Sequence, residues 1–227
     1  FTLKSEDKIR IKNLNLTVKD GEKLGITGPI ASGKTLLRKA ILKEIPYDGS
    51  LTINGKEVSR RTREELSSYL VYRGHQANLF TDTIQNNIAF GDDKDVMPYL
   101  EKVDFMEDRN MRNEKENTIV GNRGIKLSGG QQERLSLARA FYHQKKIRIL
   151  DDPFNRVDLS TENTILKNLE KERSASLVLL ISHRLDNFSQ MDKILLLHGD
   201  GEYEIGKEED RKNSSLYCSL KQKGNNK

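Results

Sequence analysis

The stretch Gly28, Pro29, Ile30, Ala31, Ser32, Gly33, Lys34, Thr35 constrains this chain more than any other. It fits G-x-x-x-x-G-K-[ST], a loop whose successive backbone N–H groups curl around phosphates. It follows a strand-like run, Lys23 to Thr27, and opens a helix-like run, Leu36 to Leu42. That order is the context the pattern needs, because the helix N-terminus adds partial positive charge to the amide cradle. Lys34 then reaches the β- and γ-phosphates of a nucleotide, and Thr35 places its hydroxyl on Mg2+. Taken alone, the same residues also fit a glycine-containing turn before an ordinary helix.

The rest of the chain narrows the choice. Its 227 residues suit one large domain or a domain with an inserted subdomain. Hydrophobic residues make up 35% and charged ones 32%, enough for a core beneath a well-solvated surface. The longest apolar runs, Leu177–Ile181 and Ile194–Leu197, are far too short to span a bilayer. No secretory leader is legible, and the chain opens on Phe1, so further sequence upstream is expected. The net charge of +5 comes from Lys and Arg interleaved with Asp and Glu. This reads as a solvated surface or one beside an anionic membrane, not as a nucleic-acid stripe. The single Cys218 excludes an internal disulfide and points to a reducing compartment.

In chain order, Phe1 to Thr27 read as strands, with Ile9, Ile11, Leu14, Leu16 and Val18 at mostly alternate positions. Pro46 to Gly49 is a turn, Ser50 to Gly55 a short strand ending in another turn, and Ser67 to Tyr72 a further strand. Between Arg73 and Gln144 the chain turns polar and reads as mostly helical, with helical spacing over Met97–Val103. Leu135, Ala138 and Phe141 share one face of a helix that begins at Gly129. Strands return at Ile147–Leu150, Leu177–Ile181 and Lys193–Leu197, and Ser160 is the expected N-cap of the helix between the first two. Such continuous apolar runs suit a parallel sheet covered on both faces. The tail from Glu208 is polar and is expected to fray beyond Leu220.

Five motifs now stand in one order: the P-loop, Gln76, Leu127–Gln131 (Leu-Ser-Gly-Gly-Gln), Ile147–Pro153 (Ile-Arg-Ile-Leu-Asp-Asp-Pro) and His183. In this the chain resembles, over nearly its whole length, the nucleotide-binding domain of ATP-binding cassette (ABC) transporters. The resemblance implies an α/β fold: a P-loop NTPase (RecA-like) core with a mostly parallel sheet, an antiparallel β subdomain and an inserted α-helical subdomain. The core with its antiparallel part would be 1–72 and 144–227, and the insert 73–143. It further implies ATP and Mg2+ as ligands. Residues Gly28 to Thr35, with Leu36, hold the phosphates. Thr35, Gln76 and Asp151 serve Mg2+, Gln76 also meets the attacking water, and His183 touches the γ-phosphate. Ser128, Gly129, Gly130 and Gln131 form a helix start that binds ATP held by a second cassette. Two ATP molecules are thus sandwiched in a head-to-tail dimer, and Asn155–Asp158 resembles the loop that communicates between the two sites. Thr118–Gly124 resembles the T-x-V-G-x-R-G loop of exporters, and Leu79–Ile84 with Asn87–Gly91 is exporter-like too. A transmembrane domain is then a partner, and the chain sits on the cytoplasmic face of a membrane.

Three residues depart from the pattern. Asp152 stands where an active member carries the catalytic Glu, one methylene shorter, so slow hydrolysis is expected at the chain's own site. This resembles the degenerate subunit of heterodimeric exporters, whose partner supplies an intact Glu. Leu3 stands where an aromatic stacks on the adenine and offers apolar contact without π-stacking. Ala31 carries a Cβ where the loop often has Gly, a cost if φ must be positive. Two other functions compete: a regulatory module in which ATP clamps the interface without turnover, and a soluble ABC ATPase of DNA repair or translation. The second needs long coiled-coil insertions or a second cassette, and this sequence has neither.

Overall fold

The computed structural model describes residues 1–5, 8–105, 115–121, 126–171, 176–186, 188–211 and 214–224. Its elements follow in chain order. The first half holds β1 (Leu3–Ser5), β2 (Lys8–Ile11), β3 (Lys23–Thr27), α1 (Lys34–Ile41), β4 (Thr52–Ile53), β5 (Lys56–Glu57), α2 (Arg63–Tyr69), β6 (Leu70–Arg73), β7 (Asp82–Thr83), α3 (Ile84–Ala89) and α4 (Met97–Lys102). Then come β8 (Ile119–Val120), α5 (Gly129–Tyr142), β9 (Ile147–Asp151), α6 (Leu159–Glu170), β10 (Leu177–Ile181), β11 (Lys193–Leu197), β12 (Tyr203–Gly206), α7 (Glu208–Arg211) and α8 (Ser215–Gly224). The chain divides into two compact units, Phe1–Leu70 with Leu177–Lys227, and Val71–Ser176.

In the first unit β3 lies between β10 and β11, parallel to both, and β12 closes the edge antiparallel to β11. Val178 pairs with Lys23 and Ile181 with Ile26, while Lys193 pairs with Leu24 and Leu196 with Thr27. Every residue of β3 and β10 is buried. That is why these strands read as unbroken apolar runs and not as an alternation. Smaller antiparallel pairs, β1 with β2 and β4 with β5, complete the unit's β structure. The β4–β5 turn at Asn54 and Gly55 takes positive φ at both residues, the geometry of a tight hairpin.

The second unit is mainly helical. Leu135, Ala138 and Phe141 are buried on one face of α5, as their spacing predicts. The Nε of Arg139 on that helix donates to the Asn87 carbonyl of α3 at 2.6 Å. The unit's strands β6 and β9 are neighbours. The mostly parallel sheet, the antiparallel strand pairs and the helices together give the α/β class expected from the motifs.

Four local expectations need correction. Ser67, Ser68 and Tyr69 belong to α2 and not to a strand, because Thr62 and Glu65 form a capping box that starts a helix there. Asp158, not Ser160, caps α6: its carboxylate accepts from the Thr161 N–H at 2.9 Å. Leu14, Leu16 and Val18 lie outside any strand, since no ladder among the described residues includes them. The tail stays helical to Gly224, held by buried Tyr217, whose hydroxyl donates to Glu208 at 3.3 Å, and by Lys221 on the same carboxylate.

Candidate functional site

Open α/β sheets place ligands at the carboxyl ends of their parallel strands, and the first unit follows that rule. The P-loop leaves the end of β3, and the turn carrying His183 leaves the end of β10. There the Ser182 hydroxyl accepts from the Arg184 N–H at 3.0 Å. Residues 30–36, His183, Ser5 and Arg10 together line a cavity of about 300 Å³.

Within the loop, Gly33 is the N-cap of α1 with φ of 110°, and no side chain caps that terminus. Lys34 is only 7% exposed. Its ammonium donates to the carbonyls of Gly28 at 2.6 Å and Pro29 at 2.8 Å. The charge is thus held across the mouth of the loop, where it can transfer to phosphate oxygens without a large movement. Ala31 does adopt positive φ, 64°, so the backbone penalty raised by its Cβ is present. Leu3, expected against an adenine, is fully buried and does not line the cavity; Ser5 and Arg10 do. Sequence reading missed both. The one available signal was an arginine in a strand whose neighbours Ile9 and Ile11 are apolar.

The remaining site residues lie in the second unit. Asp151 ends β9, and its carboxylate accepts from the Tyr72 hydroxyl at 3.2 Å. Asp152 has φ of 44°, a left-handed conformation that Asp tolerates better than most residues. Its carboxylate stands 3.7 Å from Nδ1 of His75, immediately before Gln76. Beneath both acids lies Arg73, 3% exposed and unforeseen from sequence. Its Nη1 donates to the carbonyls of Asp151 at 3.2 Å and Asp152 at 3.4 Å, and its Nε to Ser136 Oγ at 3.2 Å. An ion pair with Glu133 completes the set. Burial pulls the guanidinium down to about 10, and the charges of Asp151, Tyr72 and Asp152 oppose that shift. It therefore stays charged at neutral pH and ties the acid-bearing turn to α5.

The start of α5 closes on itself. Ser128 Oγ accepts from the Gln131 N–H at 3.2 Å, and Gln131 Oε1 accepts from the Ser128 N–H at 2.7 Å. A Cβ on Gly130 would come within 2.8 Å of the Arg156 carbonyl, so the loop from Asn155 to Asp158 packs here only against glycine. Gln76, His75, Lys126, Gln132, Asn155 and Arg156 are among the residues around a second cavity of about 670 Å³. The two exporter-like segments meet: Asp82 pairs with Val120 and Thr83 with Ile119, and a Cβ on Gly121 would touch Thr81. Asn122, Arg123 and Gly124 of that loop lie outside the described residues.

Comparison with known proteins follows the same line. The family model described as "ABC transporter" matches residues 11–155. A probable multidrug resistance ABC transporter ATP-binding/permease protein of Bacillus subtilis is 33% identical over 88% of this chain and 35% of its own length. An ATP-dependent lipid A-core flippase of Francisella tularensis is 30% identical over 94% of this chain and 36% of its own length. Among solved structures, a bacterial Atm1-family ABC exporter with ATP bound superposes with a TM-score of 0.85 at 27% identity, covering 96% of this chain and 40% of that one. The chain thus spans between a third and two fifths of these relatives. With a matching family model over more than half its length and the cassette motifs set on the expected strands and helices, the chain belongs to the ABC transporter family, as an ABC ATPase domain.

Proposed function

We propose that this chain is the ATP-binding and hydrolysing module of an exporter, and that it works head to tail with a second cassette around two ATP molecules. The observation that carries the reading is the P-loop cavity. A nearly buried Lys34 stands at its mouth, an uncapped helix start lies below, and Thr35 and His183 share its lining. Backbone N–H groups and an ammonium converging on one cavity recognise a polyphosphate. In this reading residues 28–36 hold the phosphates and His183 reaches the terminal one.

Thr35, Gln76 and Asp151 are the residues that would serve Mg2+ in this reading. All present hard oxygens, as that ion requires. Such an ion would be shared with phosphate oxygens of the nucleotide. Bound there, Mg2+ offsets phosphate charge as the terminal group is transferred. Asp152 polarises the attacking water, with Gln76 beside it. The shortened carboxylate makes turnover slow at this site, and the partner cassette carries an intact Glu. Ser128, Gly129, Gly130 and Gln131 complete the partner's site.

The functional partition follows the motifs: residues 1–72 and 144–227 hold the chain's own nucleotide, and 73–143 present the signature. A transmembrane domain is the other partner, with the cassette on the cytoplasmic membrane face. The relatives are ATP-binding/permease proteins that extend well beyond the matched region, which supports that arrangement. No helix among the described residues is long and apolar enough to cross a membrane. Nucleic acid has no role in this reading. One observation favours the non-hydrolytic alternative: Asp152 is held in left-handed backbone facing His75, which limits how far its carboxylate can reach.

The test is a disulfide cross-link in the full protein that carries this chain. A cysteine at Ser128 should join one in the partner's P-loop when ATP is present and not in its absence. ATP-independent cross-linking, or none, rejects the head-to-tail pair.

A further inference from the structure

One wall of the P-loop cavity is not used by the phosphate chemistry. Ser5 and Arg10 form it. A Cβ on Gly33 would lie 3.4 Å from the Arg10 Cβ, so the arginine stem crosses the last glycine of the loop. From there Nη1 reaches the Gly199 carbonyl at 3.3 Å, and Gly199 itself packs against Ser32. This hydrogen bond holds the guanidinium of a residue that lines the cavity. No hydrophobic ring competes for this position among the lining residues: Leu3 is buried, and Phe1 packs on Tyr47 with ring centroids 5.2 Å apart.

We propose that Arg10 is the base platform of this nucleotide site, its guanidinium stacking on the face of the purine in place of an aromatic ring. The proposal rests on the ATP reading above. A guanidinium is planar, delocalised and weakly hydrated, and it stacks on π-faces as an ammonium cannot. Every nucleobase presents such a face, and flat stacking by arginine is a recurring mode of base recognition. Two consequences follow. Stacking reads the face and not the edge, so adenine and guanine nucleotides should bind alike. Because stacking needs the plane, the platform is sensitive to its removal even when charge is kept.

An arginine in a phosphate cavity has one obvious rival role, contact with the phosphates themselves. Calorimetry on the full protein separates the two by using ATP, GTP and inorganic tripolyphosphate, which has phosphates but no base. Arg10→Ala should weaken ATP and GTP roughly three- to tenfold, the range for an exposed or partly desolvated cation–π contact, and leave tripolyphosphate unchanged. Arg10→Lys should lose nearly as much as Arg10→Ala, and Arg10→Tyr should recover most of the affinity. Equal loss for ATP and tripolyphosphate assigns Arg10 to the phosphates and overturns the proposal; so does no loss for either. Lys34→Ala is the control for the site itself. If tripolyphosphate and ATP bind the unsubstituted protein without depending on Lys34, the P-loop reading fails and the platform fails with it. If that dependence holds and the Arg10 pattern does not appear, the platform alone is wrong.

Discussion

Two helix starts in this molecule carry glycine-containing motifs, and they are built in opposite ways. At α1 the N-cap is Gly33 in left-handed backbone, with no side-chain cap and no acidic residue in the first turn. At α5 the N-cap is Ser128, and a reciprocal capping box with Gln131 satisfies two of the terminal donors. The first leaves its N–H groups to a ligand, with Lys34 already at hand. The second satisfies two of its own from within. The contrast teaches that one chain can carry two glycine-containing helix starts of different standing. In the proposed dimer, the α1 end binds the chain's own nucleotide. The α5 end must stay stable on the surface until a partner brings a nucleotide to it, and a self-capped terminus with slim glycines is suited to that wait.

The largest expected effect breaks or keeps this contrast directly. Lys34→Ala should weaken ATP binding by about 10- to 100-fold in calorimetry, because a charge-assisted contact to phosphate is lost. A change below threefold would mean that the α1 end is not the anion site. Next is Asp152→Glu, which restores the longer carboxylate. Phosphate release by the full protein should rise about tenfold. Thermal unfolding should record a loss of about 1 kcal/mol, because Glu fits a φ of 44° less well than Asp. An unchanged rate with that loss of stability favours the non-hydrolytic reading. Ser128→Ala should cost about 1 kcal/mol in denaturant unfolding, the loss of a side-chain cap, whereas α1 has no such cap to lose. The smallest effect is Ala31→Gly. Relief of positive φ exceeds the added freedom of the unfolded chain, giving a gain of about 0.5 kcal/mol in melting experiments. A loss there would show that the Ala31 methyl packs usefully on the loop.

What was legible in the sequence had local causes. The P-loop, the α5 start and the apolar strands β3, β10 and β11 each follow from a few adjacent residues and a period, and the structure keeps all of them. The misplacements share the opposite origin. Ser67 to Tyr69 have strand-like composition, but the capping box of Thr62 and Glu65 just upstream governs them. Leu14 to Val18 alternate correctly and still form no strand, because a strand needs a ladder and none among the described residues includes them. The fraying expected of the tail ignored Tyr217, which is buried and bonds to Glu208 of the preceding helix.

By itself, then, the sequence determined that a phosphate loop, a signature helix and two adjacent acids at a strand end would form, since each is dictated by short-range backbone chemistry. Tertiary structure alone decided which side chains surround them. It buried Leu3 and brought Arg10 to the cavity, and it set the Arg73 guanidinium under the carbonyls of Asp151 and Asp152 with Glu133 and Ser136 from a helix more than fifty residues on. The physical reason is that a motif fixes the conformation of its own backbone. The neighbours that tune it are chosen by packing, and no local pattern records which distant residue will fill the space.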